Sequence, residues 1–374
     1  MKKTIFFLFF LSLCSFPPII SGTNTVSSGT AGTLPRVVIL ATGGTIAGSA
    51  ETSTQASYQP AKIDIGQILS SIPAISNVAS VKGIQVCNIA SQNMELAVWL
   101  KLYNIIDSLF INDICDGVVI THGTDTMEES AYFLNLTLNH SRPVVLTGSM
   151  RPSTSLSPDG PFNLFNAISL AASPKACNQG VMVLMNDLIY SADDVTKTNS
   201  VNTNAFSCPN YGALGRIRDG EPYFFRRSLL RHTVNSEFNI KGLKNLPQVE
   251  ILYSYAFSSD VLIRSLIESG VDGIIIAGVG HGNYNRETAE MMKEALERGI
   301  VVVRSTRVFS GGVDTSAEEY DPKYPVAYMK NPQKARILLM LALSRYGNGN
   351  LQLNGTSTAS DTRIKEIQRI FAEY

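Results

Sequence analysis

The feature that most constrains this chain is a series of short β-branched runs, each followed by a cluster of Gly, Ser, Thr or Asp. Val37-Val38-Ile39-Leu40, Val118-Val119-Ile120, Val144-Val145-Leu146 and Val181-Met182-Val183-Leu184 lack the alternation of a half-exposed strand. Continuous apolar runs of this length mark strands buried on both faces, and both faces are covered where helices cross over a parallel sheet. The segments between them supply helices. Thr126 and Glu129 have capping-box spacing, with Ala131, Leu134 and Leu138 at helical spacing behind them. Asp159 close to Pro161 opens another helix through Leu164, Ile168 and Leu170. The pattern predicts βαβ units and a parallel sheet.

A second series follows: Val249 to Tyr253, a helix over Val261 to Glu268, Gly273 to Ile276, a helix over Glu287 to Arg298 closed by Gly299, and Ile300 to Val303. At about 150 residues per domain, 374 residues suggest two domains, and a 44% hydrophobic fraction excludes disorder. The two series are read as domains at 34–225 and 248–374. Between them, Asn204 to Leu246 carries Pro209, Pro222 and a cluster of Arg with weak periodicity, and a linker is placed at 226–247.

The chain opens with Met1-Lys2-Lys3, an apolar run from Ile5 to Cys14 that is too short to span a membrane, and Pro17-Pro18. Residues 1–22 read as a signal peptide and 23–33 as a flexible linker, which implies export to the periplasm. No later run approaches the roughly 18 apolar residues of a membrane helix, so no membrane partner is expected. Lys plus Arg and Asp plus Glu balance at 31 each, which leaves no electrostatic footprint for nucleic acid. Charged residues reach only 17%, against about 25% typically, a composition that fits surface covered by neighbouring subunits. The five Cys form no C-x-x-C, and His122, His140, His232 and His281 lack ligand spacing, so neither a metal nor a cofactor is expected.

In parallel sheets, ligands bind beyond the carboxyl ends of strands, where loops converge on helix N-termini. After the first strand stands Ala41-Thr42-Gly43-Gly44-Thr45-Ile46-Ala47-Gly48. Paired glycines let the backbone approach a ligand and present the Thr45 hydroxyl, which a nearby base can make nucleophilic. By itself the segment reads equally as a glycine turn. It contains neither G-x-G-x-x-G nor Gly-Lys-Ser/Thr, so it is not a phosphate loop. Tyr58 lies 13 residues on, in a Ser/Thr/Ala-rich stretch with the composition of a lid. After the second run, Thr124 and Asp125 precede a helix whose dipole favours an anion or developing oxyanion. The capping box leaves those two residues surplus. His122, beside a buried strand, reads as a hydrogen-bonded structural residue. Asp193 to Asn199 brings Lys197 close to acidic residues, where burial and a carboxylate pull a lysine pKa in opposite directions; in isolation it reads as a solvated lysine. Ser91-Gln92 reads as polar loop, and no Gly-x-Ser-x-Gly elbow is present.

The run at 41–48, together with Ile120-Thr121-His122-Gly123-Thr124-Asp125-Thr126-Met127-Glu128-Glu129, resembles the two signatures of bacterial L-asparaginases. Met150-Arg151-Pro152-Ser153-Thr154, Asp159 to Leu164 and Asp194 to Thr198 resemble the same family in order and spacing. The likeness runs from about Leu34 to Tyr374, and the leader is similar to that of the exported type II branch. The resemblance implies an α/β protein with a larger flavodoxin-like N-terminal domain and a smaller C-terminal α/β domain. It also implies a homotetramer with sites shared between subunits, and L-asparagine as the small-molecule substrate. Thr45 would be the nucleophile toward the side-chain amide carbon, with Tyr58 on a closing loop beside it. Thr124, Asp125 and Lys197 would form a second catalytic group. Ser91, Gln92 and Asp125 would bind the α-carboxylate and α-amino ends, and Asn283 and Glu318 would arrive from the adjacent subunit. His281 stands where many relatives have Asn, and Thr137 to Arg142 offers Cys115 no disulfide partner.

The expected reaction is hydrolysis of L-asparagine to L-aspartate and ammonia through an acyl-enzyme on Thr45, with Thr124 or water as alternative nucleophiles. Two other readings compete. A dual glutaminase-asparaginase differs by one methylene of substrate, worth about 1–3 kcal/mol in a pocket. An exported amino-acid solute-binding protein is also two-lobed α/β with a leader, and would need neither Thr45 nor Lys197.

Overall fold

The four β-branched runs are parallel strands of one sheet. The computed structural model describes residues 33–48, 66, 70, 72–317, 320–345 and 357–374. The expected signal peptide and almost all of the expected linker behind it lie outside these residues, as do Tyr58 and Glu318. In chain order come β1 (Arg36–Gly43), β2 (Ser80–Ile89), α1 (Leu96–Ile111), β3 (Gly117–Thr121), α2 (Met127–Thr137), β4 (Val144–Thr147), α3 (Gly160–Ala172), β5 (Val181–Met185) and β6 (Leu188–Ser191). Four short strands follow: β7 (Thr196–Lys197), β8 (Phe206–Ser207), β9 (Gly215–Arg218) and β10 (Glu221–Phe224). The second series consists of β11 (Val249–Tyr253), α4 (Val261–Ser269), β12 (Gly273–Gly278), α5 (Arg286–Glu297), β13 (Val301–Thr306), α6 (Pro332–Ser344) and α7 (Ser357–Glu373).

Eight strands form the large sheet in the order β2-β1-β3-β4-β5-β6-β9-β10. The pairings from β2 to β5 are parallel, and β6, β9 and β10 extend the sheet antiparallel. The order 2-1-3-4-5 is the doubly wound, flavodoxin-like one, with its topological switch between β1 and β3. Strands β11, β12 and β13 make a smaller parallel sheet.

Burial follows the strand period of two. Val37, Ile39, Val119 and Val145 pack on one face with Leu164 and Ile168 of α3. Val38, Leu40, Val118, Ile120 and Leu146 lie on the other, with Trp99 and Leu102 of α1 and Ala131 and Leu134 of α2. Helix α6 is apolar on nearly every side, with Ile337, Leu338, Leu339 and Leu341 all buried. It packs against α2 and against the small sheet through β11 and β12. The core cluster it joins therefore runs from Val38 to Tyr374.

Two local expectations are corrected. Thr126 occupies the N-cap position of α2 but makes no side-chain cap bond, because its hydroxyl donates to the Ser91 carbonyl at 2.8 Å. The tertiary contact outcompetes the capping box. Asp159 sits at the N-cap of α3, yet its carboxylate accepts from the backbone N–H groups of Met150 and Arg151 and from Asn163 Nδ2. The stretch read as aperiodic holds β8, β9 and β10, which at two to four residues are too short to display a period. Among the described residues, no helix is long and apolar enough to cross a membrane.

Candidate active site

The loops that follow β1, β2 and β3 meet at the switch point of the large sheet, the place where this topology opens a crevice. Their meeting depends on missing side chains. Gly44 has φ of 80°, and a Cβ there would lie 2.5 Å from the Gly123 nitrogen. A Cβ on Gly123 would lie 2.6 Å from Ser91 Oγ. The β1 and β3 loops thus meet backbone on backbone and the Ser91 side chain packs against Gly123, so Thr45, Ser91 and Thr124 are brought together from positions up to 79 residues apart.

Gly44, Thr45, Ala90, Ser91, Gln92, Gly123, Thr124 and Asp125 line a cavity of about 220 Å³. That is smaller than the roughly 300–1,000 Å³ of a drug-sized pocket and suits a ligand such as a free amino acid. Its polarity is graded. Thr45, Ser91 and Thr124 are buried, whereas Gln92 is exposed and the Asp125 side chain is 59% exposed. Hydroxyls therefore form the deep part, and charge gathers at the open end.

Lys197 reaches this cavity from β7. Its Nζ donates to Thr124 Oγ1 at 2.9 Å and to Asp125 Oδ1 at 2.6 Å. The ammonium is largely buried, with 16% side-chain exposure, so its pairing with Asp125 is shielded from solvent on one side. A hydroxyl that accepts from an ammonium is free to donate its own proton elsewhere. Asp125 N–H donates to Ser91 Oγ at 3.2 Å, which ties the β2 and β3 loops together.

His122 stays outside the chemistry. It is fully buried, and burial pushes its pKa down to about 4. Its Nδ1 lies 2.6 Å from the Gly123 carbonyl and its Nε2 lies 2.8 Å from Ser130 Oγ, which also accepts from Trp99 Nε1. Indole only donates and carbonyl only accepts, so the chain closes with neutral His122 protonated on Nδ1. The residue positions the Gly123 peptide just before Thr124.

Of the residues expected from the sequence, Thr45, Ser91, Gln92, Thr124 and Asp125 line the cavity, and Lys197 bonds to two of them. Asn283 lies in the loop after β12 and does not line it; its Oδ1 is buried without a hydrogen-bond partner among the described residues. Tyr58 and Glu318 lie outside the described residues. Sequence reasoning missed Glu128, a carboxylate 3% exposed, whose Oε2 accepts from Lys197 N–H at 2.8 Å. Its neighbour Glu129 carried the capping pattern, and nothing local separated the two. Among the described residues, no group of three or more His, Cys, Asp or Glu could hold a metal ion.

Comparison with known proteins agrees with this geometry. Residues 36–230 match the family described as "Asparaginase, N-terminal", and residues 248–352 match "Glutaminase/Asparaginase C-terminal domain". L-asparaginase 2 of Escherichia coli (strain K12) is 46% identical over 320 residues, covering 85% of this chain and 91% of that protein. A protein of Haemophilus influenzae described as "Probable L-asparaginase periplasmic" is 44% identical over 322 residues, covering 86% and 92%. The crystal structure of a "Probable Cytoplasmic L-asparaginase" from Campylobacter jejuni superposes with a TM-score of 0.84 at 44% identity, over 91% of this chain and 100% of that one. With likeness of this extent in sequence and in fold, the chain belongs to the asparaginase family.

Proposed function

We propose that the cavity binds L-asparagine and hydrolyses its side-chain amide to L-aspartate and ammonia. The observation that carries this reading is Lys197 Nζ held at 2.9 Å from Thr124 Oγ1 and 2.6 Å from Asp125 Oδ1, beside a cavity that Thr45 also lines. Hydrolysing a carboxamide requires a nucleophile, a proton acceptor, oxyanion donors and recognition of the amino-acid head group. The graded polarity assigns the ends. The charged head group lies against Asp125 and Gln92 at the open side and the more deeply set Ser91 hydroxyl, with Asp125 taking the α-amino group. The amide then points inward to the buried hydroxyls.

Thr45 Oγ attacks the amide carbon, the C–N bond breaks, and ammonia leaves as an ester forms on Thr45. Water then cleaves the ester, giving aspartate and free Thr45. The proton leaving Thr45 ends on the departing nitrogen, relayed by the Thr124 hydroxyl that the Lys197 ammonium holds in place; a proton of the attacking water returns to Thr45 in the second step, and backbone N–H groups near Thr124 stabilise the oxyanion. Tyr58 is assigned to a loop that closes over Thr45, and Glu318 and Asn283 to a neighbouring copy in a tetramer. The division at 226–247 is supported by the two separate sheets and by family matches that end at 230 and resume at 248. Export to the periplasm is inferred from the basic and apolar leader, as the name of the Haemophilus relative also suggests.

Ammonia release from L-asparagine and L-glutamine by the mature chain tests the reading. A preference for asparagine of roughly 10- to 200-fold is expected, the range one methylene can supply. Equal rates would replace it with the dual glutaminase-asparaginase, and binding without release would replace it with a solute-binding protein.

A further inference from the structure

Lys197 is carried by a strand of two residues that pairs only with the two residues of β8 among the described residues. A ribbon this short does not fix its own position. Three consecutive residues are instead gripped from outside. Lys334 Nζ donates to the Val195 carbonyl, Asn331 Nδ2 reaches Thr196 Oγ1 at 3.2 Å, and Glu128 Oε2 accepts from Lys197 N–H at 2.8 Å. Glu128 joins these grips into one unit, because its other oxygen accepts from Asn331 Nδ2 at 3.0 Å and Gln333 Nε2 at 2.6 Å.

Building on the reading above, we propose that Glu128 is a positioning residue for Lys197, holding its backbone at the distance from which Nζ meets Thr124 and Asp125. Both ends of Lys197 are tied to the same short segment. Nζ bonds to Thr124 and Asp125, and the backbone N–H bonds to Glu128 one turn further along. A triangle results, whose base runs from the turn before α2 into the first turn of that helix. Glu128 also couples this triangle to the first turn of α6, which belongs to the C-terminal half of the chain. A buried carboxylate is costly unless its lone pairs are filled, and here each oxygen meets at least one donor.

Glu128→Gln keeps the shape and removes one acceptor. The amide then presents N–H groups either to Lys197 N–H or to the Asn331 and Gln333 amides, so donors face donors on one side. The test compares Glu128→Gln with Asn135→Ala, which removes another buried acceptor on the same helix, the oxygen that bonds Val181 N–H. Steady-state ammonia release from L-asparagine and hydrogen exchange at the Lys197 amide are measured on the full mature chain. Glu128→Gln is expected to lower kcat by roughly 10- to 100-fold, as misplacement of a catalytic group does, with KM nearly unchanged and faster exchange at Lys197. Asn135→Ala is expected to lower the melting temperature and keep kcat.

Should Glu128→Gln fail to fold, Gln333→Ala takes its place, and a smaller fall in kcat at constant KM is expected. Retained kcat in the folded Glu128 or Gln333 variant, or unchanged exchange at Lys197 in it, would overturn the proposal and leave Glu128 a purely structural residue. Exchange at Lys197 is read without substrate, so it decides the role of Glu128 even if the unaltered protein turns over no asparagine, a result that would overturn only the functional reading.

Discussion

At the residue scale, the site joins groups that each look ordinary in their own segment. Thr45 and Thr124 stand just after apolar runs, where a parallel sheet places its ligands, whereas Lys197 read in its own segment as a solvated lysine and was singled out by the family resemblance. Glu128 was not, since its partners Asn331 and Gln333 lie some two hundred positions away and leave no local mark. His122 was read as structural, and its geometry gives that reading a measurable consequence. Its folded pKa of about 4 lies below the usual 6.5, so between those values the unfolded chain binds a proton that the folded chain does not. The stability it contributes is complete above pH 6.5 and is lost as pH falls toward 4. His232 is shifted downward by burial as well and adds in the same direction. Denaturant unfolding at pH 7 and pH 5 should show the unaltered protein losing about 2 kcal/mol more than His122→Gln over that interval. An equal loss in both would mean that His122 is protonated in the folded state.

At the element scale, the crevice exists because glycines let three loops approach at backbone distance. Gly44 combines a positive φ with a neighbour that cannot yield, the Gly123 main chain. Gly44→Ala should cost about 1–3 kcal/mol of stability through overpacking, and should lower kcat/KM by roughly 100-fold by separating Thr45 from Thr124. A melt combined with steady-state kinetics checks both, and normal kinetics in the variant would mean that the loops tolerate separation. The long buried strands were readable because both faces are apolar. Strand β2 was not, because it lies at the edge of the sheet with Ser80, Lys82, Gln85 and Asn88 interleaved along a mostly part-exposed run. The antiparallel strands β9 and β10 were missed for a different reason, since four residues give no room for alternation to show.

At the scale of the whole molecule, the two strand series were read as separate domains, but the core that α6 completes extends across both sheets. Leu338 is fully buried in that shared core, and Leu338→Ala should destabilise the chain by about 2–5 kcal/mol. Trp99, the sole tryptophan, stacks on Phe133 in the N-terminal half, so its fluorescence reports that half alone. If the shared core couples the sheets, fluorescence and far-ultraviolet circular dichroism trace one coincident transition in both proteins; separated transitions would show independent units. The central claim concerns the assembled site, and it is tested most directly by ammonia release from L-asparagine with the unaltered chain, Thr45→Ala and Lys197→Met side by side. The account predicts rapid release by the unaltered chain, a loss of at least roughly ten-thousandfold for Thr45→Ala, and a loss of roughly 100- to 10,000-fold for Lys197→Met. Undiminished release by folded Thr45→Ala would contradict it, moving the nucleophile to Thr124 or to water.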